Sequence, residues 1–337
     1  MERLSFSKYA LNFWFLFILF TSILSLLLFN ISTLNNLSSS LLSLNTIFLS
    51  ILIEALPFVL IGILIAGFIQ IFITEEHIQR WIPRNPLMAV VMSCLVGALF
   101  PACECGIVPI VKRLIAKGVP IHAAMGFMLT GPLINPVVIL STYMAFGNDL
   151  RIASLRMLIG FVIAFVVALL ISLFFKGSQF KSSLQSYPLT TTSQQTSFVT
   201  KLMNMFKHAI DEFFDVGKYF IIGAFLAAFV QTYVSTKTLV EIGDGVSSSI
   251  LVMMGLAFIL SLCSEADAFI GASFSTVFST PSILAFLIFG PMIDLKNTIM
   301  LMSVFRLKFV FSLIALVAIV VYISIWILSA YLQGGKL

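Results

Sequence analysis

Pro101-Ala-Cys-Glu-Cys-Gly106 closes an apolar run and sets Glu104 where a lipid-embedded chain rarely carries charge. Leu262-Cys-Ser-Glu-Ala-Asp267 closes a second such run, and Glu265 minus Glu104 is 161. The same offset pairs Gly62 with Gly223, Ala66 with Ala227, Gln70 with Gln231 and Pro120 with Pro281. Gly131-Pro-Leu-Ile-Asn135 meets Gly290-Pro-Met-Ile-Asp294 at an offset of 159, and Arg156 meets Arg306 at 150. Correspondence across half a chain points to a duplicated unit. In a membrane chain, duplicated units are a transporter architecture, with the site where the halves meet.

Composition places the chain in a membrane. Its 337 residues are 60% hydrophobic and 10% charged, with a mean hydropathy of +1.12. A soluble domain carries roughly 25% charge, so these charges cannot cover a water-facing surface. Apolar runs able to span a hydrocarbon core of about 30 Å recur at 11–29, 47–73, 121–146, 152–175, 220–234 with its flanks, and 309–331. The runs are unbroken, which excludes the alternating pattern of barrel strands. The expectation is an all-α polytopic integral membrane protein of a bacterial-type plasma membrane. Run 11–29 follows Arg3 and Lys8 with no small-residue cleavage pattern after it, so it reads as a retained first span and not a signal peptide. The net charge of +5 sets orientation and does not imply nucleic-acid binding. Cys94, Cys103, Cys105 and Cys263 all lie in or beside apolar segments and read as reduced thiols.

The chain divides into a leader span with an outer loop (1–45), a first repeat (46–175), a flexible cytoplasmic linker rich in Ser, Thr and Gln (176–204), and a second repeat (205–337). Within each repeat one long span should precede a broken element and two further spans. The broken elements are 87–102 followed by 106–117, and 249–264 followed by 268–279. Each arm is short for a crossing of about 20 residues, so re-entrant hairpins fit better than pairs of full spans. About nine to eleven helical segments result. With hairpins each repeat crosses three times, with full spans five times; both are odd, so the two repeats are expected to be inverted. Lys and Arg in the loops place the N-terminus and the linker in the cytoplasm, opposite loops 30–45 and 235–247.

Glu104 and Glu265 are the leading site residues. A carboxylate at depth costs roughly 2.5–3.5 kcal/mol even on lenient scales, a cost offset by pairing, protonation or water. A substrate or proton site competes here with simple capping of the helix that follows. Cys103 and Cys105 flank Glu104, and Cys263 lies in the second break. Three converging thiolates would suit Cu(I), Zn(II) or a trivalent arsenical, although cysteine also packs as a small hydrophobe, the reading given to Cys94. Gly131-Pro132 and Gly290-Pro291 are expected to interrupt their spans, as Pro101 and Gly106 bracket the first hairpin break. Asn135 and Asp294 then line the substrate path. Glu104, Glu265, Asp267 and Asp294 are the candidate proton-coupling acids. Gly62-x-x-x-Ala66 and Gly223-x-x-x-Ala227 are close-packing faces without a ligand role. Glu54 and Asp215 read as interfacial, and Arg156, Arg306 and Lys308 are candidates to neutralise the acidic breaks. There is no phosphate loop and no hydrolase or zinc-protease arrangement, so no enzyme and no cofactor is expected.

Pro101-Ala-Cys-Glu-Cys-Gly106, Thr130-Gly-Pro-Leu-Ile-Asn-Pro136, Cys263-Ser-Glu-Ala-Asp267 and Gly290-Pro-Met-Ile-Asp294, in that order, resemble the predicted-permease family that includes YraQ-type membrane proteins and ArsP-type arsenical efflux permeases. The resemblance covers roughly residues 45–330. It implies a permease, with organoarsenicals, copper or zinc among the cargoes, and for some members a second membrane subunit. The leading expectation is efflux of a soft metal ion or metalloid through Cys103, Glu104, Cys105, Cys263 and Glu265, with Asn135 and Asp294 beside them. The alternatives are a subunit of a two-component permease moving protons, a sulfur oxyanion or another small solute, and a membrane subunit that transports nothing itself.

Overall fold

The computed structural model describes residues 37–74, 78, 82–83, 85–100, 103–175, 177, 179–181, 198–233 and 245–334. The first expected span (11–29), the helix-breaking Pro101 and most of the linker lie outside them. The chain divides into two compact units, Met1–Ile47 and Phe48–Leu337. In the first, the described residues are the opening turns of a helix, where Thr46 Oγ1 donates to Leu42 O at 2.8 Å. Residues 30–45 are thus not wholly a polar loop. Helix begins at Leu37, because leucines recurring at 37, 41 and 44 give a helical period that the intervening serines do not break.

Among the described residues there are twelve α-helices and one 3₁₀ turn. They are α1 (Leu37–Phe72), α2 (Pro86–Leu99), α3 (Glu104–Ala116), α4 (Ile121–Ile134), α5 (Pro136–Ala145), α6 (Leu150–Phe174), α7 (Phe198–Tyr233), α8 (Val246–Leu260), α9 (Ser264–Ser273), α10 (Thr280–Met292), α11 (Leu295–Val304) and α12 (Leu307–Gly334). The six elements of α1–α6 recur in order as α7–α12. Joining α4 to α5 and α10 to α11, whose ends are separated by one and two residues, gives ten segments among the described residues; the expected nine to eleven include the span at 11–29, which lies outside them. Six segments are long and apolar enough to cross a membrane: α1, α4–α5, α6, α7, α10–α11 and α12. The chain is an all-α, multi-pass membrane protein.

Burial ranks these six. The central windows of α4–α5 and α10–α11 are 78% and 89% buried, against 28% to 39% for the other four. Two broken spans therefore form the core, and the continuous helices α1, α6, α7 and α12 present large apolar side chains outward, as lipid requires. The breaks have local causes. At Asn135 the next residue is Pro136, which disfavours helical backbone before it; Asn135 Oδ1 then accepts from Val138 N at 2.8 Å and restarts the helix. At Asp294, Oδ1 accepts from Asn297 N at 2.6 Å and starts α11. Gly131-Pro132 and Gly290-Pro291 do not themselves interrupt the helices. They lie inside α4 and α10, because each sits in a last turn, where the proline's missing N–H costs a single bond and the helix ends within a few residues anyway.

The short helices cross between halves. α2 packs along α4 and α8 along α10, each within its own half. Beyond them, α3 of the first half lies against α11 of the second, and α9 of the second lies against α5 of the first. Each helix that follows a hairpin break thus meets the half-helix that follows the other half's broken core span. At its far end α3 is pinned to α7, where Glu212 accepts from Lys112 Nζ at 2.6 Å and also from Arg113.

Candidate functional site in the membrane core

The two reciprocal junctions hold the residues expected to carry chemistry. Glu104 opens α3 and is 1% exposed. Its Oε1 lies 3.1 Å from Lys296 Nζ, and its Oε2 accepts from the hydroxyl of Ser264 at 3.4 Å. Ser264 opens α9, so the starting turns of the two post-break helices touch. Lys296, in the first turn of α11 and 2% exposed, also lies 2.8 Å from Asp294 Oδ2. It donates further to Ser261 O at 2.6 Å and to Leu262 O at 3.2 Å. One ammonium is therefore shared by two buried carboxylates and two carbonyls.

Backbone geometry at the end of α8 makes this possible. Ser261 has φ 48° and ψ 42°, a left-handed conformation uncommon outside glycine. That turn sends its carbonyl to Lys296 Nζ, while its hydroxyl accepts from Leu295 N at 2.9 Å and Lys296 N at 3.3 Å. The 161-residue counterpart of Ser261 is Phe100, which is extended and packs its ring on Phe127. Among the described residues the first half shows no such cradle. Strain of this kind collects where function holds it in place.

Arg156 extends the network. Buried to 1%, it donates from Nη1 to Thr142 Oγ1 at 2.6 Å and from Nη2 to Ser264 O at 3.1 Å. A chain of contacts then runs from Thr142 through Arg156, Ser264, Glu104 and Lys296 to Asp294, crossing between the halves three times. Arg156 Nε and both carboxylate oxygens of Asp267 are buried without a hydrogen-bond partner. Asp267 approaches the core span at Gly290, where a Cβ would stand 2.9 Å from its Oδ2.

The other expected residues are placed as follows. Glu265 is half-buried in the first turn of α9, one residue past the Ser264–Glu104 contact, so the two repeat-equivalent acids occupy different environments. Cys103 and Cys263 are the N-cap residues of α3 and α9. Cys263 donates its thiol to Glu54 Oε1, while its sulfur accepts from Ala266 N at 3.4 Å. Cys105 is buried in the first turn of α3, with Gly106 beside it inside the helix, so the break precedes Gly106. Asn135 is 3% exposed and serves as a cap, with no contact to the Lys296 cluster. Among the described residues no group of three or more His, Cys, Asp or Glu side chains is arranged to hold a metal ion. Cys103, at the N-cap, and Cys105, in the first turn of α3, are joined by a hydrogen bond between their side chains, so two thiols lie together without a third ligand.

Three participants carry little sequence signal. Lys296 has Val137 as its counterpart at the offset of 159, so comparing the repeats does not single it out. The rule that finds Glu104, an ionisable residue inside an apolar span, finds Lys296 equally well. Ser264 and Thr142 are small hydroxyls that only contacts reveal. Glu54 is not near a span end, because α1 starts at Leu37 and leaves it 17 residues from one terminus and 18 from the other.

Comparison with known proteins agrees with this architecture. A family described as "Predicted permease" matches residues 40–330. The chain is 51% identical over 283 residues to the UPF0718 protein YcgR of Bacillus subtilis, covering 84% of this chain and 96% of that one. It is 42% identical over 289 residues to a protein of Streptococcus mutans named "Putative two-component membrane permease complex subunit", covering 86% and 96% respectively. No solved structure matches. The family match spans most of the chain and nearly the whole of both relatives, and the chain belongs to the predicted permease family.

Proposed function

We propose that this chain is a secondary permease for a soft metal ion or metalloid, working through two inverted repeats, with its site at the Glu104–Lys296–Asp294 cluster where α3 of the first half meets α11 of the second. The observation that carries this reading is Lys296 Nζ, buried and shared between Glu104 Oε1 at 3.1 Å and Asp294 Oδ2 at 2.8 Å. A cationic cargo reaching the cluster competes with Lys296 for the carboxylates, and return of the ammonium expels it. Three crossing segments in each half support the inversion, since an odd number reverses the second half. The Lys- and Arg-rich loops support a cytoplasmic N-terminus and linker, and efflux is the direction we propose. Cys103 and Cys105 lie on either side of Glu104 at the start of α3, which supports a soft metal ion or a metalloid (copper, zinc or an arsenical) as the cargo, with thiolates contributing as it passes.

The test is cell tolerance to each ion, together with flux into liposomes containing the purified chain. Glu104→Gln is expected to lower flux at least about tenfold, the effect of losing about 1.4 kcal/mol, and Cys103→Ser with Cys105→Ser to lower it for soft ions only. Unchanged tolerance and flux in both variants would remove the metal reading. A second reading, that a partner membrane subunit is needed for transport of protons, a sulfur oxyanion or another solute, is supported by the printed name of the Streptococcus mutans relative. Flux from the purified chain alone contradicts that requirement.

A further inference from the structure

The ammonium of Lys296 is held as a free cation would be. Four oxygens surround it: Ser261 O at 2.6 Å, Asp294 Oδ2 at 2.8 Å, Glu104 Oε1 at 3.1 Å and Leu262 O at 3.2 Å. They come from α3, α11 and the link between α8 and α9, so the fold builds the cradle independently of the lysine stem. Two of the four belong to carboxylates, so the cradle holds one more negative charge than the lysine supplies. Asn297 Oδ1, in the same turn of α11, is buried without a hydrogen-bond partner. The repeats differ at the cation: Glu104 corresponds to Glu265 and Asp294 to Asn135, but Lys296 corresponds to Val137.

We infer that the Lys296 cradle is a monovalent-cation site occupied by a tethered ammonium, and that ammonium or an ion of potassium size fills it when Lys296 leaves. As placed, the four oxygens stand 2.6 to 3.2 Å from a single positive centre, whereas Mg²⁺ and Ca²⁺ would need them drawn in to about 2.0–2.1 Å and about 2.3–2.6 Å. Within the permease reading, on which only this role rests, cargo and coupling ion take this site in turn, which makes them exchange partners. Lys296 swings out, the ion takes the four oxygens, and the returning ammonium releases it on the other face.

The experiment uses the purified full-length chain in detergent, with Lys296→Ala compared with the unaltered protein. Each is placed in choline chloride and titrated with ammonium, potassium or calcium chloride at constant ionic strength while Tm is followed. Ammonium or potassium should raise the Tm of Lys296→Ala saturably, with no such rise in the unaltered protein. The rise should vanish in the double variant Glu104→Gln with Lys296→Ala. A response no different from choline, a calcium response larger than that of either monovalent ion, or an equal response in the unaltered protein would overturn the inference. If Lys296→Ala is not recovered folded from choline, purification in ammonium or potassium should rescue it, and the double variant should fold in every salt. Loss of the single variant in all salts alike would also overturn the inference. These readouts do not involve flux, so failure of the permease reading appears separately, as absent transport with cation binding intact.

Discussion

Lys296→Met is expected to lower the stability of the purified protein by about 3–5 kcal/mol, the cost of breaking a buried ion pair from one side. The substitution keeps most of the stem volume and removes only the ammonium. Glu104 and Asp294, each about 1% exposed, would then share a buried site without the ammonium between them. At about 2 °C per kcal/mol for a chain of this size or slightly smaller, thermal unfolding should shift down by about 6–10 °C. Flux should fall as well, because the exchange of cargo with the ammonium loses its partner. A Tm within a degree of the unaltered protein would mean that the carboxylates find other neutralisation.

Gly62→Ala is the second large effect, and it arises from space instead of charge. A Cβ on Gly62 would come within 2.8 Å of Gly106 Cα and closer still to Gly106 O, all of it backbone. No rotamer relieves such a clash, so α1 and the first turn of α3 must separate. Overpacking of this kind typically costs about 1–3 kcal/mol, and here it also displaces Glu104, two residues from Gly106. Gly255→Ala is the control, because a Cβ there meets nothing within 4 Å. Thermal unfolding and flux of the two variants should diverge: loss in Gly62→Ala, near-native behaviour in Gly255→Ala. Equal behaviour would mean that this helix contact does not position the site.

Much of this arrangement is legible in the sequence, for identifiable reasons. Glu104 stands out because a carboxylate is expensive in an apolar run, and the match at Glu265 exposes the duplication. Gly62 and Gly223 read as close-packing positions, and the structure places them against Gly106 and Lys296. The exact seat of the core breaks is less legible. Glycine and proline usually mark such points, yet a proline in a last turn interrupts little, and the side-chain caps of Asn135 and Asp294 decide where helix restarts. Lys296 escapes comparison of the halves because the duplicated unit has diverged there to Val137. Arg156 is visible as a buried-charge candidate, but its partners are Thr142 Oγ1 and the carbonyl of Ser264, which no spacing rule supplies. The thiols show the opposite case. Cys103 and Cys105 stay together as their spacing suggests, but the third thiol does not join them, because Cys263 turns to Glu54.

Divergence between the halves extends to their junctions. The junction of α3 with α11 carries Glu104, Lys296 and Asp294, while at that of α9 with α5 Arg156 bridges Thr142 and Ser264. Each junction thus buries a cation, but on different residues, so the two are not equivalent.

The most direct measurement is a double-mutant cycle on unfolding free energy for Glu104→Gln and Lys296→Met. The paired charges predict that the double variant is more stable than Lys296→Met alone, with a coupling of at least about 1 kcal/mol, well above the 0.3–0.5 kcal/mol within which independent sites add. Strict additivity would contradict the account, because it would mean that Glu104 and Lys296 do not meet in the membrane core.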